Sequence, residues 1–193
     1  MEIPSTDSAA ELALAGTTTG ASSARPSAIE REVMDLFEQY RNPILRYVLA
    51  IGLNVCDAEE VTQEAFLALF RHLESGKSRK NLRGWMFRVA HNLALKQRHA
   101  NQRSRDATTI EETIAERQAD PSPDPEEQLA ATQRRQRLLA VVSALPDADQ
   151  CCLRLRAEGL RYREIAAVLG ISLGSVSISL TRSLARLIRA DGR

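Results

Sequence analysis

The sequence is poor in aromatics, at 4% Phe, Trp and Tyr, with one Trp. It has three cysteines, Cys56, Cys151 and Cys152, and no CxxC pair. The count is odd, and two cysteines adjacent in sequence rarely bond to each other, so a disulfide-stapled fold is not expected. The thiols read as reduced and packed as small hydrophobes in a cytosolic protein, with a redox pair as the alternative. Runs of β-branched residues alternating with polar ones are absent, so strands are not expected and nearly all of the ordered chain should be helix. No apolar run approaches the ~20 residues needed to span a bilayer. A secretory leader is not expected either, because Glu2 and Glu11 lie where one would be neutral or basic. No built-in regulatory extension is expected after Arg193. The three histidines, His72, His91 and His99, lack the close spacing or paired acid of a metal site, and there is no phosphate loop or nucleophile motif. An enzyme, a metal, a cofactor and a small-molecule substrate are therefore not expected.

The formal net charge is only +1, but the charge is segregated. Residues 1–30 hold one Arg against four acids, and residues 31–105 carry a surplus of five positive charges. Residues 106–127 hold eight acids against Arg117, and residues 128–193 have eleven Arg against five acids. Two basic bodies joined by an acidic strap is the pattern to be explained. The boundaries follow: a disordered Ser/Thr/Ala/Gly-rich tail over 1–28, a helical domain over 29–105, an acidic Pro-bearing linker over 106–125 and a second helical domain over 126–193. The linker has room for one helical turn near 109–118. The fold class is all-α, with a helix-turn-helix in the second domain.

In the first domain, Val33, Leu36, Phe37 and Tyr40 make one apolar face. Pro43 sets a boundary or opens the next helix, an apolar core segment that ends at Gly52. Asp57-Ala-Glu-Glu60 has the form of a capping box, with Asp57 as the cap. Glu60, Gln63 and Glu64 then fall together opposite the stripe Val61, Ala65, Leu69 and Leu73, which reads equally well as a solvated face or as an interface. From Lys77 to Arg105 there are nine Lys or Arg and no acid. A basic loop over 75–83 leads into a helix over about 84–99. A polyanion explains such a run, because each phosphate contact releases counterions. Trp85 lies within it and reads either as a core anchor or as a platform for an unpaired base.

In the second domain a helix over about 126–144 is stopped by Leu145-Pro146, and Asp147 caps the next. The stretch from Arg161 to Arg189 then reads as helix, tight turn, helix. Ile165, Ala166 and Leu169 form a stripe, and Gly170 supplies a left-handed residue. Ile171 fills the corner and Ser172 caps the second helix. Val176, Leu180, Leu184, Leu187 and Ile188 continue the apolar spacing. This is a helix-turn-helix, a module that lays its second helix in the DNA major groove.

Three segments, Asp57-Ala-Glu-Glu-Val-Thr-Gln-Glu-Ala-Phe-Leu-Ala-Leu-Phe70, Asn81-Leu-Arg-Gly-Trp-Met-Phe-Arg-Val-Ala-His-Asn-Leu93, and Ala144-Leu-Pro-Asp147 with Gly159-Leu-Arg-Tyr-Arg-Glu-Ile-Ala-Ala-Val-Leu-Gly-Ile171, come in that order. Together they resemble the extracytoplasmic-function sigma factors of the sigma-70 family. The resemblance implies a protein that binds core RNA polymerase and directs promoter recognition, melting and transcription initiation. It implies polymerase contacts at Asp57, Glu60, Gln63 and Glu64. It implies minus-ten DNA contacts at Lys77, Arg79, Lys80, Trp85, Arg88, Asn92, Lys96 and Arg98. It implies minus-35 contacts at Arg161, Arg163, Ser175, Ser177, Ser179, Arg182 and Arg186. A membrane-bound anti-sigma factor is a common partner in that family. The family usually has Lys and Arg near positions 177 and 179, where this chain has serines, so minus-35 reading should be weaker or unusual. A free-standing helix-turn-helix regulator is the alternative, but it leaves the acid-free run and the Glu60–Gln63–Glu64 group without a purpose.

Overall fold

The computed structural model describes residues 27–106 and 125–191, with side-chain surroundings defined for 27–103 and 131–191. The tail over 1–26 and the linker turn near 109–118 lie outside the described residues. The described residues form seven helices: α1 (Ala28–Ala50), α2 (Val55–Glu74), α3 (Leu82–Asp106), α4 (Pro125–Ser143), α5 (Asp147–Ala157), α6 (Tyr162–Leu169) and α7 (Leu173–Asp191).

Helix α1 runs unbroken through Pro43, where the sequence suggested a boundary. Proline removes one backbone bond and clashes with the preceding turn, at about 3 kcal/mol. On either side of it, Val33, Leu36 and Tyr40 and then Ile44, Tyr47 and Val48 pack on the same core. Burying that shared face outweighs the local defect. Helix α2 starts two residues before Asp57. Its cap is Asn54, whose Oδ1 accepts from the Asp57 amide at 2.9 Å. Helix α3 starts at Leu82 because Asn81, at φ +54°, offers its Oδ1 to the Gly84 amide at 3.2 Å. A Cβ on Gly84 would come within 2.5 Å of that Asn81 side chain. α5 opens on Asp147 itself, preceded by Pro146 and without a side-chain cap.

Helices α1, α2 and α3 pack on one another, as do α5, α6 and α7, with α4 laid along α7. The two groups also meet. α3 lies against α6 and α1 against α5, and one apolar cluster runs from Ile44 and Phe87 through Leu155 and Ile165 to Leu180. The seam is fastened by polar contacts. Arg46 grips the Glu158 carboxylate through Nε at 3.2 Å and Nη2 at 2.8 Å. Arg83 donates from Nη2 to the Glu158 carbonyl, and Arg98 reaches Asp147 at 3.0 Å.

Candidate polymerase and nucleic-acid interfaces

The outer face of α2 carries Glu60, Gln63 and Glu64, all exposed. The buried Val61, Ala65 and Leu69 lie at helical spacing and turn these three outward. Leu67 extends the same stripe one turn on and is 55% exposed. The sequence reading passed over it, although its seven-residue offset from Glu60 was visible. Asp57 belongs to a different arrangement. Its carboxylate accepts from Asn54 at 2.8 Å, Asn101 at 2.6 Å and Gln97 at 3.3 Å, so it ties α2 to the far part of α3.

Lys77, Arg79 and Lys80 are exposed in the loop before α3. Arg79 sits on the Glu32 carboxylate at 3.0 Å. His72 Nε2 and the Ser78 carbonyl are 2.9 Å apart, and the His72 ring packs against Trp85 at a tilt of 40° with centroids 4.4 Å apart. Trp85 is half-buried, so it anchors the loop while part of the indole stays open. Arg88, Asn92 and Lys96 follow one another every four residues along α3, and all are exposed. Opposite them Met86, Phe87, Ala90 and Ala94 are buried. Arg98 is only partly accessible and bonds Asp147 and the Ile51 carbonyl, so it belongs to the seam in this arrangement.

His91 is buried at 7% exposure, its Nδ1 2.9 Å from the Tyr47 hydroxyl. Burial holds its pKa below the usual imidazole value and pushes the Tyr47 phenol up. Among the described residues no group of three or more His, Cys, Asp or Glu is placed to hold a metal ion. Burial raises the Cys151 and Cys152 thiols, while Cys56 is exposed on the first turn of α2 rather than packed.

In the second group the axes of α6 and α7 turn by 107° across Gly170–Ser172, within the range of a helix-turn-helix. Gly170 is left-handed at φ +66°, and the Ser175 amide donates to Ser172 Oγ at 3.0 Å. Arg161, Arg163, Ser175, Ser177 and Arg186 are exposed, with the Ser175 hydroxyl drawn back to Ser172 Oγ at 2.8 Å. Two expectations need correcting. Ser179 is 6% exposed and faces the core with Val176, Leu180 and Ser183, so its hydroxyl does not lie on the outer face. Arg182 donates from Nε at 3.0 Å and Nη2 at 2.6 Å to Asp149 Oδ2. The Asp149 side chain is 4% exposed, so Arg182 is the counter-ion of a buried carboxylate. The buried stripe is therefore 176, 179, 180 and 183, and Leu184 and Ile188 are exposed at 47% and 71%.

No single helix among the described residues is long and apolar enough to cross a membrane. Sigma-70 region 2 matches residues 36–104 and sigma-70 region 4 matches residues 135–187. A probable RNA polymerase sigma factor, RfaY, of Xanthomonas campestris pv. campestris is 31% identical over 149 residues, covering 75% of this chain and 36% of its own. The ECF RNA polymerase sigma factor SigE of Mycolicibacterium smegmatis is 30% identical over 170 residues, covering 88% and 63%. The chain thus spans just over a third and under two thirds of these relatives. Among solved structures, the sigma factor RpoE of Bartonella quintana, crystallised with the anti-sigma factor NepR, superposes with a TM-score of 0.64. That match covers 83% of this chain and 96% of the other at 18% identity, which speaks to the fold. With two region matches covering more than half the chain, in order, on the matching all-helical architecture, the chain belongs to the extracytoplasmic-function branch of the sigma-70 family.

Proposed function

We propose that this chain is a non-catalytic RNA polymerase subunit that brings core polymerase to promoters and opens them. Residues 29–105 form its polymerase-binding and minus-ten domain. Residues 106–125 form a linker, and 126–193 form its minus-35 domain. The observation that carries this reading is the presence, on one chain, of an outward helix-turn-helix and, on the other helical group, a basic run from Lys77 to Lys96 in which Lys77, Lys80, Arg88 and Lys96 are exposed. A regulator that only binds duplex DNA needs the first; the second, on a separate group of helices, supports a further nucleic-acid contact.

Glu60, Gln63 and Glu64 meet basic residues of the polymerase, and Leu67 adds an apolar contact at the end of the stripe. Lys77, Arg79, Lys80, Arg88 and Lys96 take phosphates. Asn92 and the open part of Trp85 hold bases of the melted strand. Melting needs no catalysis, since capture of an unstacked base offsets a few kcal/mol of lost stacking. Arg161, Arg163 and Arg186 place the second domain on duplex backbone. The protein acts in the cytoplasm, where polymerase and promoter are, and an anti-sigma factor is its natural antagonist. The test is co-migration of the full chain with core polymerase on a sizing column. The wild type should run with core. A variant with Glu60, Gln63 and Glu64 changed to Ala should run alone while keeping its helical content. If the variant still bound core as tightly as the wild type, the α2 interface would be wrong.

A further inference from the structure

Over its first three turns the outward face of the recognition helix carries no free charge, and Arg189, eleven residues past Ile178, is the exposed cation in line with it. Gly174, Ile178, Thr181 and Ala185 lie opposite the buried Val176, Leu180 and Ser183, flanked by Ser177, and all of them are exposed. Arg182, the next cation along, is committed to Asp149. Over the first three turns of this face Ile178 is the only large side chain, and it is 66% exposed; Ile188, at 71%, follows ten residues later near the end of the helix. Folding gives no reason for it. A β-branched residue is a poor helix former, and an isoleucine left in water forfeits its burial. Its neighbours are small, so the helix backbone can come close to a groove with Ile178 projecting furthest. Arg161 and Arg163, beside Leu173 at the start of α7, and Arg186, two turns past Ile178, are exposed and would hold phosphates.

In the major groove the one apolar mark on a base pair is the C5-methyl of thymine. We propose that Ile178 is a specificity-determining residue that reads a thymine methyl in the upstream promoter element, in place of charged pairing to guanine. The inference rests on the assignment of α7 as the duplex-reading helix. It replaces the expectation of merely weak reading with a different chemistry of reading.

The experiment uses the full chain bound to core polymerase. Templates that form stable complexes are selected from duplexes randomised across the upstream and start-proximal segments. Each upstream thymine of the selected template is then replaced singly by uracil, which removes only the methyl group. At one thymine the replacement should weaken complex formation about fourfold, the value of one buried carbon. The Ile178→Ala protein, whose fold is safe because the side chain is exposed, should bind thymine and uracil templates equally. An upstream element with no methyl-dependent thymine, or equal uracil penalties in both proteins, overturns the role of Ile178 alone. A selected pool with no upstream preference at all overturns the assignment of α7 as well.

Discussion

The pair formed by Arg182 and Asp149 should respond asymmetrically to truncation. Asp149 is almost fully enclosed, with 4% of its side chain exposed, while half of the Arg182 side chain reaches solvent. Both N–H donors of Arg182 fall on the same oxygen, at 3.0 and 2.6 Å. Asp149→Ala removes charge-assisted bonds but leaves a guanidinium that water can reach, for a loss of about 2 kcal/mol. Arg182→Ala leaves a carboxylate enclosed without its cation. Breaking a buried pair in that sense costs roughly 3–5 kcal/mol. Asp149 lies in the first turn of α5, where the helix dipole favours an anion by roughly 0.5 kcal/mol, so we expect about 3 kcal/mol. For a chain of this length that is a fall in Tm of roughly 6–12 °C. The double variant should lose about 2 kcal/mol, well short of the sum, because removing Asp149 also removes the stranded charge. Urea denaturation of the full chain measures all three. Equal losses in the two single variants, or a double variant equal to their sum, would refute the reasoning.

Ser183 is fully buried and its hydroxyl has no hydrogen-bond partner. Ser183→Ala should therefore stabilise the chain by about 1 kcal/mol in the same denaturation assay. Gly170→Ala should cost about 1 kcal/mol, read as a lowered urea midpoint, because φ is +66° there and a Cβ is disfavoured. His91 has a folded pKa below that of the unfolded chain. Its stabilising contribution is complete above about pH 6.5 and is lost as the pH falls beneath that value, because the unfolded chain then binds the extra proton. Measured between about pH 7 and pH 5, stability should fall less in His91→Gln than in the wild type.

The turn of the helix-turn-helix was legible almost to the residue. Gly170 and Ser172 carry local chemistry that admits few alternatives, and both do what their types suggest. The acid-free run was equally plain, because a charge pattern survives any error in helix boundaries. The failures have separate causes. Pro43 obeys a local rule that the shared core of α1 overrides. Asp57 looked like a cap because Glu60 follows it, but Asn54 is three residues earlier and takes the Asp57 amide. Ser179 and Ser183 hid the true stripe of α7, since a small polar residue at a buried position breaks the apolar period that the eye follows. The exposed Leu184 and Ile188 then supplied a false one. The seam through Arg46, Glu158, Arg98 and Asp147 joins residues 49 to 112 positions apart. Nothing in the local pattern of either domain marks such partners.

The central claim is tested most directly by transcription with purified core polymerase, with and without this chain, on a pool of genomic fragments. A set of discrete transcripts should appear only when the chain is present. It should disappear when Arg88, Asn92 and Lys96 are together changed to Ala, although that variant still binds core. Transcripts unchanged by that triple substitution would contradict the strand-holding role of α3. If core gave the same transcripts with and without the chain, the proposed function itself would be wrong.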